Sequence, residues 1–231
     1  MPSSESVGEP GLSERLDQMR ADIAEATRRA DREPDELTLI VVTKFHPASL
    51  VRELCALGVR DVGENRHQEA QAKAEELAHL DLRWHFVGQL QTKKARQAAK
   101  YAHAIHSIDR TRLVDALDDG DRAIDAFVQI NLTDDPGRGG AAPDEIESLA
   151  ERVLNSRALR LRGVMAVAPI EEDPARAFAR LRGYSDRVRA LAPEADAISA
   201  GMTHDYAEAI AEGATHLRIG TAITGKRPEH G

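Results

Sequence analysis

The sequence predicts an α/β protein folded as a (β/α)8 (TIM) barrel with a leading N-terminal helix. Short β-branched runs alternate with helical segments along the chain, and eight such runs can be placed. No linker rich in Pro, Gly or Ser breaks the alternation, so one core is the simpler interpretation. Eight parallel strands separated by helices fit a barrel better than a six-stranded doubly wound sheet, which stays open as the alternative.

The pattern starts with a helix and a buried strand. Between residues 12 and 30, apolar side chains recur every three or four residues, which is the period of an amphipathic helix. The run TLIVVT at 38–43 is typical of a strand buried on both faces. Further strands are predicted at 59–62, 84–87, 104–108, 126–132, 161–166, 197–199 and 216–219. Helices are predicted between them at 47–57, 66–78, 92–101, 111–117, 143–154, 174–191 and 206–212.

Composition predicts one globular domain. The chain has 231 residues, of which 42% are hydrophobic and 30% charged, enough for a sizeable core under a polar surface. We expect residues 1–11, rich in Ser, Gly, Pro and Glu, to form a disordered tail, and residues 12–231 to form the single barrel domain.

Net charge, cysteine content and the N-terminal sequence indicate which partners and which cellular compartment to expect. A net charge of -8 opposes binding to nucleic acid and to anionic membranes. The single cysteine, Cys55, allows no intrachain disulfide and is interpreted as a buried helix residue. The N-terminus lacks the basic start and apolar stretch of a signal peptide, and no apolar run approaches the roughly 20 residues of a membrane span. We therefore expect a cytoplasmic protein.

Lys44 is the first candidate for chemistry. It directly follows the first strand, at the barrel end where such folds place their working residues. An amine there has its stem against apolar walls, which lowers its pKa and favours Schiff-base formation. The alternative is a lysine that only ends a strand in solvent, and for Lys44 taken alone this alternative is the better one.

Two turns of small residues change the interpretation of Lys44. SAGMT (199–203) follows the seventh strand and GTA (220–222) follows the eighth, the two positions where barrels often build a phosphate site. The Thr203 hydroxyl is also predicted to cap the next helix, and capping alone or an ordinary turn glycine at Gly220 stays open for each loop. A reactive amine beside a phosphate cradle is what pyridoxal 5′-phosphate (PLP) needs, although a Schiff-base aldolase acting on a sugar phosphate needs it too.

Several motifs in fixed order carry a family resemblance. The segments VVTKFHP (41–47), GEN (63–65), WHFVGQLQTKK (84–94), SAGMTHD (199–205) and LRIGTAITG (217–225) resemble the YggS/PROSC family of PLP homeostasis proteins. The resemblance runs from about Leu37 to Gly225. It implies a fold-type III, alanine racemase-like barrel with PLP held as a Schiff base on the lysine that matches Lys44.

The resemblance also implies a set of cofactor-binding residues. Asn65 matches a residue that lines the cofactor, and Arg218 matches the arginine placed against the pyridine nitrogen. The residues that match the phosphate and ring-edge contacts are Ser199, Met202, Thr203, Gly220 and Thr221. Arg218 has no acceptor and stays charged, so it would disfavour a protonated ring nitrogen and weaken PLP as an electron sink.

The chain departs from the family pattern at four positions. Thr203 stands where Ser is usual, which keeps the hydroxyl, and Thr224 stands where Phe is usual, which removes an aromatic wall. Lys93 replaces a common Asn and Arg138 a frequent Lys, so polar contacts at these two positions are not carried over.

The histidines predict no metal site. His85 lies on the third predicted strand between Trp84 and Phe86, and a packed or hydrogen-bonded structural role is favoured over a place at the cofactor. The others show no H-x-x-H or HExxH spacing.

The predicted function is binding PLP for intracellular PLP homeostasis, by buffering or delivering it, more than catalysis. The family implies PLP-dependent apoenzymes as recipients, and a monomer is our working expectation. Racemisation needs acid/base groups on both faces of the cofactor, and alanine racemases complete the site with a tyrosine from a separate domain. A PLP-dependent amino-acid racemase, or another weak PLP enzyme, is the alternative.

Overall fold

The barrel closes between the first and the last strand. A computed structural model describes residues 10–120 and 122–226. Within them, eight parallel strands pair in chain order and the eighth returns to the first, which confirms the predicted fold class. The strands are β1 (Thr38–Val42), β2 (Asp61–Glu64), β3 (Arg83–Phe86), β4 (Ala102–Ile108), β5 (Ile124–Gln129), β6 (Leu159–Met165), β7 (Ala197–Ser199) and β8 (His216–Ile219).

Helices follow the strands and surround the barrel. They are α1 (Leu12–Arg29), α2 (Ala48–Ala56), α3 (His67–Glu76), α4 (Ala95–Ala98), α5 (Thr111–Leu117), α6 (Ile146–Leu154), α7 (Pro174–Leu191), α8 (Tyr206–Ala211) and α9 (Thr221–Thr224). Short 3₁₀ segments lie at Pro34–Glu36, Thr92–Lys94 and Pro136–Arg138.

Most predicted elements agree with the structure to within a few residues, and the differences have local causes. The predicted helix 92–101 is a 3₁₀ segment followed by the four-residue α4. The strand predicted at 126–132 is β5, which begins earlier and ends at Gln129. The chain turns away from the strand at Asn131, whose side-chain oxygen accepts from the Thr133 backbone N–H at 2.9 Å and so forms an Asx turn. The sequence pattern gave no signal for α9.

The register between β1 and β8 fixes the geometry of the barrel mouth. Ile40 lies opposite Arg218 and Val41 opposite Ile219, so the turns after both strands open at the same edge. The leading helix α1 reaches this edge from outside, because the Arg15 Nε donates to the Ile223 carbonyl of α9 at 2.7 Å.

The main core lies between the strands and the helices. Alternate strand residues point inward, where Ala104, Phe127, Met165 and Ala197 form a separate apolar cluster. Small residues leave room for buried polar side chains in the same interior, which include two fully or nearly fully buried histidines on β3 and β4.

The ends of the chain fall partly outside the described residues. Of the predicted tail, residues 1–9 lie outside them, and Gly11 is the N-cap of α1. The predicted boundary between tail and domain therefore stays a prediction. Among the described helices, none is long and apolar enough to cross a bilayer.

Candidate functional site

A cavity opens at the carboxyl-terminal edge of the barrel, where the strand-following turns meet. Its volume is about 290 Å³, near the lower end of the roughly 300–1,000 Å³ usual for small-molecule sites. It is lined by Val42, Lys44, Asn65, Val87, Val167, Met202, Thr203, His204, Arg218, Gly220 and Thr221.

The structure brings together seven of the eight residues that the sequence predicts for the cofactor. These seven are Lys44, Asn65, Met202, Thr203, Arg218, Gly220 and Thr221. Ser199, the eighth, is fully buried and accepts a hydrogen bond from Arg218. The individual contacts of these residues with a cofactor stay predictions.

Lys44 lies in a tight turn after β1. The turn is closed by the His46 backbone N–H, which donates to the Thr43 carbonyl at 3.1 Å. Lys44 itself is exposed, so its amine is accessible from the cavity mouth. The residue after it, Phe45, has a φ of 69°, a left-handed conformation that is strained for a bulky side chain.

Glu69 holds this strained residue. Its carboxylate oxygen Oε2 accepts from the Phe45 backbone N–H at 3.0 Å. The Arg66 guanidinium lies 5.0 Å from the centre of the Phe45 ring, within the range of a cation–π contact. Strained backbone persists where its surroundings over-determine it, and both contacts come from the segment that follows β2.

A buried ion pair supports the Lys44 turn from behind. Lys73 Nζ donates to Glu64 Oε1 at 2.6 Å and to the Thr43 carbonyl at 2.9 Å, while the Thr43 hydroxyl donates to the same Glu64 oxygen at 2.7 Å. Glu64 is 1% exposed and Lys73 7%. Burial raises the pKa of Glu64, and the positive charge of Lys73 opposes that rise. Burial and the Lys73 charge also lower the pKa of His46.

Sequence reasoning missed this pair, although a signal was present. Lys73 interrupts the apolar face of α3, where Ala70, Ala74 and the C-cap residue Leu77 are buried at helical spacing. A lysine on a buried face needs a partner of opposite charge, and Glu64, inside the GEN motif, is that partner.

The backbone of Asn65 lies directly against Gly88, in the turn that follows β3. A Cβ on Gly88 would lie 2.2 Å from the Asn65 carbonyl oxygen, so no larger residue fits there without movement of the backbone. Gly88 thus fixes how closely the turns after β2 and β3 approach each other beside the cavity.

Arg218 is a buried cation in the cavity wall. It is 5% exposed, and its Nη1 donates to Ser199 Oγ at 2.7 Å and its Nη2 to the Ala166 carbonyl at 2.9 Å. Burial lowers the pKa of Arg218 to about 10, with the Asp205 charge opposing the shift. The guanidinium therefore stays protonated at neutral pH and acts as a donor only.

The predicted capping role of Thr203 is wrong. The next helix begins at Tyr206 with Asp205 as its N-cap, and Asp205 Oδ1 accepts from the Met202 backbone N–H at 2.6 Å. Thr203 lies two residues before the N-cap, too early in the chain to cap the helix. Its side chain is half-buried at the cavity. At the other turn, Thr221 begins α9, and Thr224 is buried within it.

The structural role predicted for His85 is confirmed. It is 3% exposed, its Nε2 lies 2.8 Å from Asp61 Oδ1, and its Nδ1 lies 2.9 Å from His106 Nε2. His85 therefore lies in the barrel interior, away from the cavity lining.

Comparison with known proteins defines the class first. The alanine racemase N-terminal domain family matches residues 15–228. The closed eight-stranded barrel is the fold that this class of proteins shares. The alanine racemase of Corynebacterium glutamicum superposes with a TM-score of 0.70 at 16% identity, covering 94% of this chain and 63% of the racemase, which is a likeness of fold alone.

Closer relatives define the family. The pyridoxal phosphate homeostasis protein of Mycobacterium tuberculosis (strain ATCC 25618 / H37Rv) is 39% identical over 245 residues, covering 95% of this chain and 94% of the relative. That of Escherichia coli (strain K12) is 38% identical over 226 residues, covering 94% and 97%. The chain belongs to the pyridoxal phosphate homeostasis protein family, as the motif resemblance predicted. PipY of Synechococcus elongatus PCC7942, solved with PLP bound, has a TM-score of 0.81 at 34% identity and covers 93% of this chain and 100% of PipY.

Proposed function

We propose that this protein binds PLP, holds it covalently on Lys44, and takes part in PLP homeostasis by buffering or delivering the cofactor. The observation that carries the proposal is the cavity in which an accessible lysine and a buried arginine line one space of cofactor size. The names of the relatives and the PLP bound to PipY support the same assignment.

The chemistry requires an amine at the cavity mouth. A bound PLP would supply an aldehyde for condensation with a lysine amine, with release of water. Lys44 provides the amine, and the buried Glu64–Lys73 pair behind its turn holds the backbone that carries it. Val42 and Val87 supply apolar walls on either side.

The remaining residues of the cavity lining are assigned to different parts of PLP according to their chemistry. We assign the phosphate to the Thr203 and Thr221 hydroxyls and to the turn at Gly220. The first backbone N–H groups of the helix that starts after this turn make no hydrogen bond within the helix and are free to donate to an anion. Asn65 and Met202 are assigned to the ring edge, and Arg218 to the ring nitrogen. Ser199 acts through Arg218, since its hydroxyl bonds to that guanidinium.

The site favours holding the cofactor over using it. Arg218 would donate to the ring nitrogen and so disfavour its protonation, which would weaken PLP as an electron sink. Alanine racemases use a tyrosine as the second acid/base group, and Tyr101, Tyr184 and Tyr206, the tyrosines of the chain, do not line the cavity.

Absorbance of the purified protein tests the proposal. PLP added to the wild type should produce a visible band that hydroxylamine abolishes, and borohydride reduction should fix the cofactor on the peptide that contains Lys44. Lys44→Ala should lose the band, whereas Lys93→Ala, at an exposed lysine outside the cavity lining, should keep it. A wild type that stays colourless, or a reduced adduct on another lysine, refutes the assignment.

Delivery is tested with an acceptor. We propose that the protein acts as a cytoplasmic monomer that passes PLP to PLP-dependent apoenzymes. An apoenzyme should regain activity from the loaded protein while a phosphatase destroys free PLP. Recovery no faster than from the same amount of free PLP refutes delivery, and solvent-deuterium exchange at the Cα of amino acids at roughly 1 per second or more supports the racemase alternative instead.

A further inference from the structure

A chain of buried polar side chains crosses the barrel interior and ends at the cavity. It begins at Asp61, the first residue of β2, whose Oδ2 is 2.5 Å from the Arg83 guanidinium at the opposite end of the barrel. From Asp61 it passes through His85 and His106 to Ser199 and then to Arg218. The apolar cluster around Phe127 packs beside it.

Each link is a short hydrogen bond. His85 Nε2 lies 2.8 Å from Asp61 Oδ1, and His85 Nδ1 lies 2.9 Å from His106 Nε2. His106 Nδ1 lies 2.8 Å from Ser199 Oγ, and Arg218 Nη1 lies 2.7 Å from the same oxygen. His106 is fully buried and its ring stacks on Phe127 at 4.2 Å with an interplanar angle of 8°, so the ring plane is fixed by packing.

The chemistry of the two ends, together with a neutral His85 ring, sets the direction of every bond. Arg218 can only donate and an ionised Asp61 can only accept. His85 must therefore donate from Nε2, which leaves Nδ1 of the neutral ring to accept from His106 Nε2–H. His106 then accepts at Nδ1 from the Ser199 hydroxyl, and Ser199 accepts from Arg218. In this arrangement every bond has one hydrogen.

The surroundings of His106 and Asp61 fit this arrangement. Burial lowers the pKa of His106 well below its ordinary value, and the groups that face it, His85, His216, Arg218 and His103, lower it further because each is a cation when protonated. Burial alone would raise the pKa of Asp61, but the hydrogen bonds from His85 and Arg83 outweigh it and lower the pKa, which keeps the carboxylate ionised.

These hydrogen bonds explain how the Arg218 charge is tolerated inside the barrel. The guanidinium is bonded to a hydroxyl and a carbonyl rather than to a carboxylate. Along this series of hydrogen bonds, each side chain directs its acceptor atom toward Arg218 and its hydrogen toward Asp61. The dipoles therefore align between a buried cation and an anion, an arrangement that is favourable at both ends.

We propose that Asp61, His85 and His106 are positioning residues for the cofactor: through Ser199 they hold the Arg218 guanidinium in one orientation at the cavity wall. The proposal rests on the proposed PLP site for its functional meaning. The bond directions do not depend on PLP and can be measured without it.

Nitrogen NMR of the histidine rings tests the bond directions. In protein labelled with 15N-histidine and free of PLP at pH 7.5, both His85 and His106 should be neutral with the proton on Nε2. Resonances are assigned from the single variants His85→Gln and His106→Gln. A proton on Nδ1 of His106, or an imidazolium at either position, overturns the proposal whether or not the protein binds PLP.

A matched pair of variants tests the effect on the cofactor. The amide of His106→Gln can donate to His85 and accept from Ser199, whereas His106→Leu can do neither. We expect the Kd for PLP to rise by about tenfold in His106→Leu and the absorbance maximum of bound PLP to move. In His106→Gln and in His79→Gln, an exposed control, the Kd should stay within about threefold of the wild type.

Further outcomes keep the test decisive. Asp61→Asn keeps an acceptor oxygen but removes the negative charge. We expect it to weaken PLP binding by a smaller factor than His106→Leu does. It serves as the test variant if His106→Leu does not fold. Equal losses in the Gln and Leu variants, or wild-type Kd and spectrum in both Asp61→Asn and His106→Leu, overturn the positioning role. A wild type that binds no PLP refutes the proposed function, while the NMR result still stands alone.

Discussion

Removal of Lys73 should destabilise the protein in a manner that depends on pH. Lys73→Met fills nearly the same volume with an unbranched apolar side chain, so packing is largely kept while the charge is lost. Glu64 would then retain the Thr43 hydroxyl as its partner at Oε1, while its Oε2 has no partner among the described residues. The variant leaves an uncompensated carboxylate at 1% exposure.

The size of the effect follows from the burial of both partners. Breaking a buried pair by removing one partner costs about 3–5 kcal/mol. For a domain of this length, each kcal/mol lowers Tm by about 2–4 °C, so the expected fall at pH 7.5 is about 6–20 °C. Lys93→Met, at an exposed lysine, should change Tm by less than about 2 °C.

The sign of the pH dependence comes from Glu64. Burial already raises its pKa above the ordinary value of 4.5, and loss of Lys73 removes the charge that opposes this rise. A carboxyl whose pKa is raised by folding binds its proton more tightly in the folded state, so folding gains stability as the pH falls. The deficit of Lys73→Met should therefore shrink between pH 7.5 and 5.5, by up to about 3 kcal/mol for one proton.

Urea unfolding of both proteins across this pH range measures the deficit directly. Adding Glu64→Gln to Lys73→Met removes the stranded charge while an amide oxygen still accepts from Thr43, so the double variant should recover at least half of the loss at pH 7.5. A deficit that is constant or grows toward pH 5.5, or a double variant no better than the single one, would refute the reasoning.

Further predictions concern the histidines and two glycines. Burial lowers the pKa of His106, and it lowers that of His216 to about 3, so the unfolded chain binds more protons below pH 6.5 and stability should fall by about 2 kcal/mol per histidine from pH 7.5 to 5.0. His106→Gln should reduce this slope in urea unfolding, and an unchanged slope would contradict the assignment. Gly163→Ala should cost at least about 2 kcal/mol, because its φ is 149° and its Cβ would lie 1.8 Å from the Ala197 carbonyl oxygen. Gly183→Ala, in open space on α7, should instead stabilise the protein by about 0.5–1 kcal/mol; equal Tm values for the two variants would contradict both expectations.

The fold was predictable because its signals are local. A strand buried on both faces shows as a β-branched run, and β1 and β8 were placed within one residue of their observed ends. Segments with weaker periodicity were placed less well. The sequence predicts the four-residue α4 as part of a ten-residue helix, because three alanines and five long polar residues satisfy helix propensity while too few apolar positions fix its length.

The cavity lining was predictable for a different reason. Lys44, Gly220 and Thr221 follow strands directly, and strand ends of a parallel barrel converge at one edge whatever the interior contains. Residues that act through others lack such a rule. His106 was not singled out, because its partners come from β3 and β7 and only closure of the barrel brings the three strands' side chains together.

The composition of the barrel interior connects stability with the site. TIM barrels in general fill the interior with bulky apolar side chains, whereas the interior of this one holds small residues such as Ala104 and Ala197 together with the buried Asp61, His106 and Arg218. Apolar replacements of similar volume are often as stable or more stable than buried charges, so packing alone gives no reason to retain this polar chain. A cation held in one orientation at the cavity wall does give one. The Asp205 carboxylate opposes the fall in the pKa of Arg218, and the hydrogen bonds that lead from Ser199 to Asp61 hold the guanidinium in place from behind.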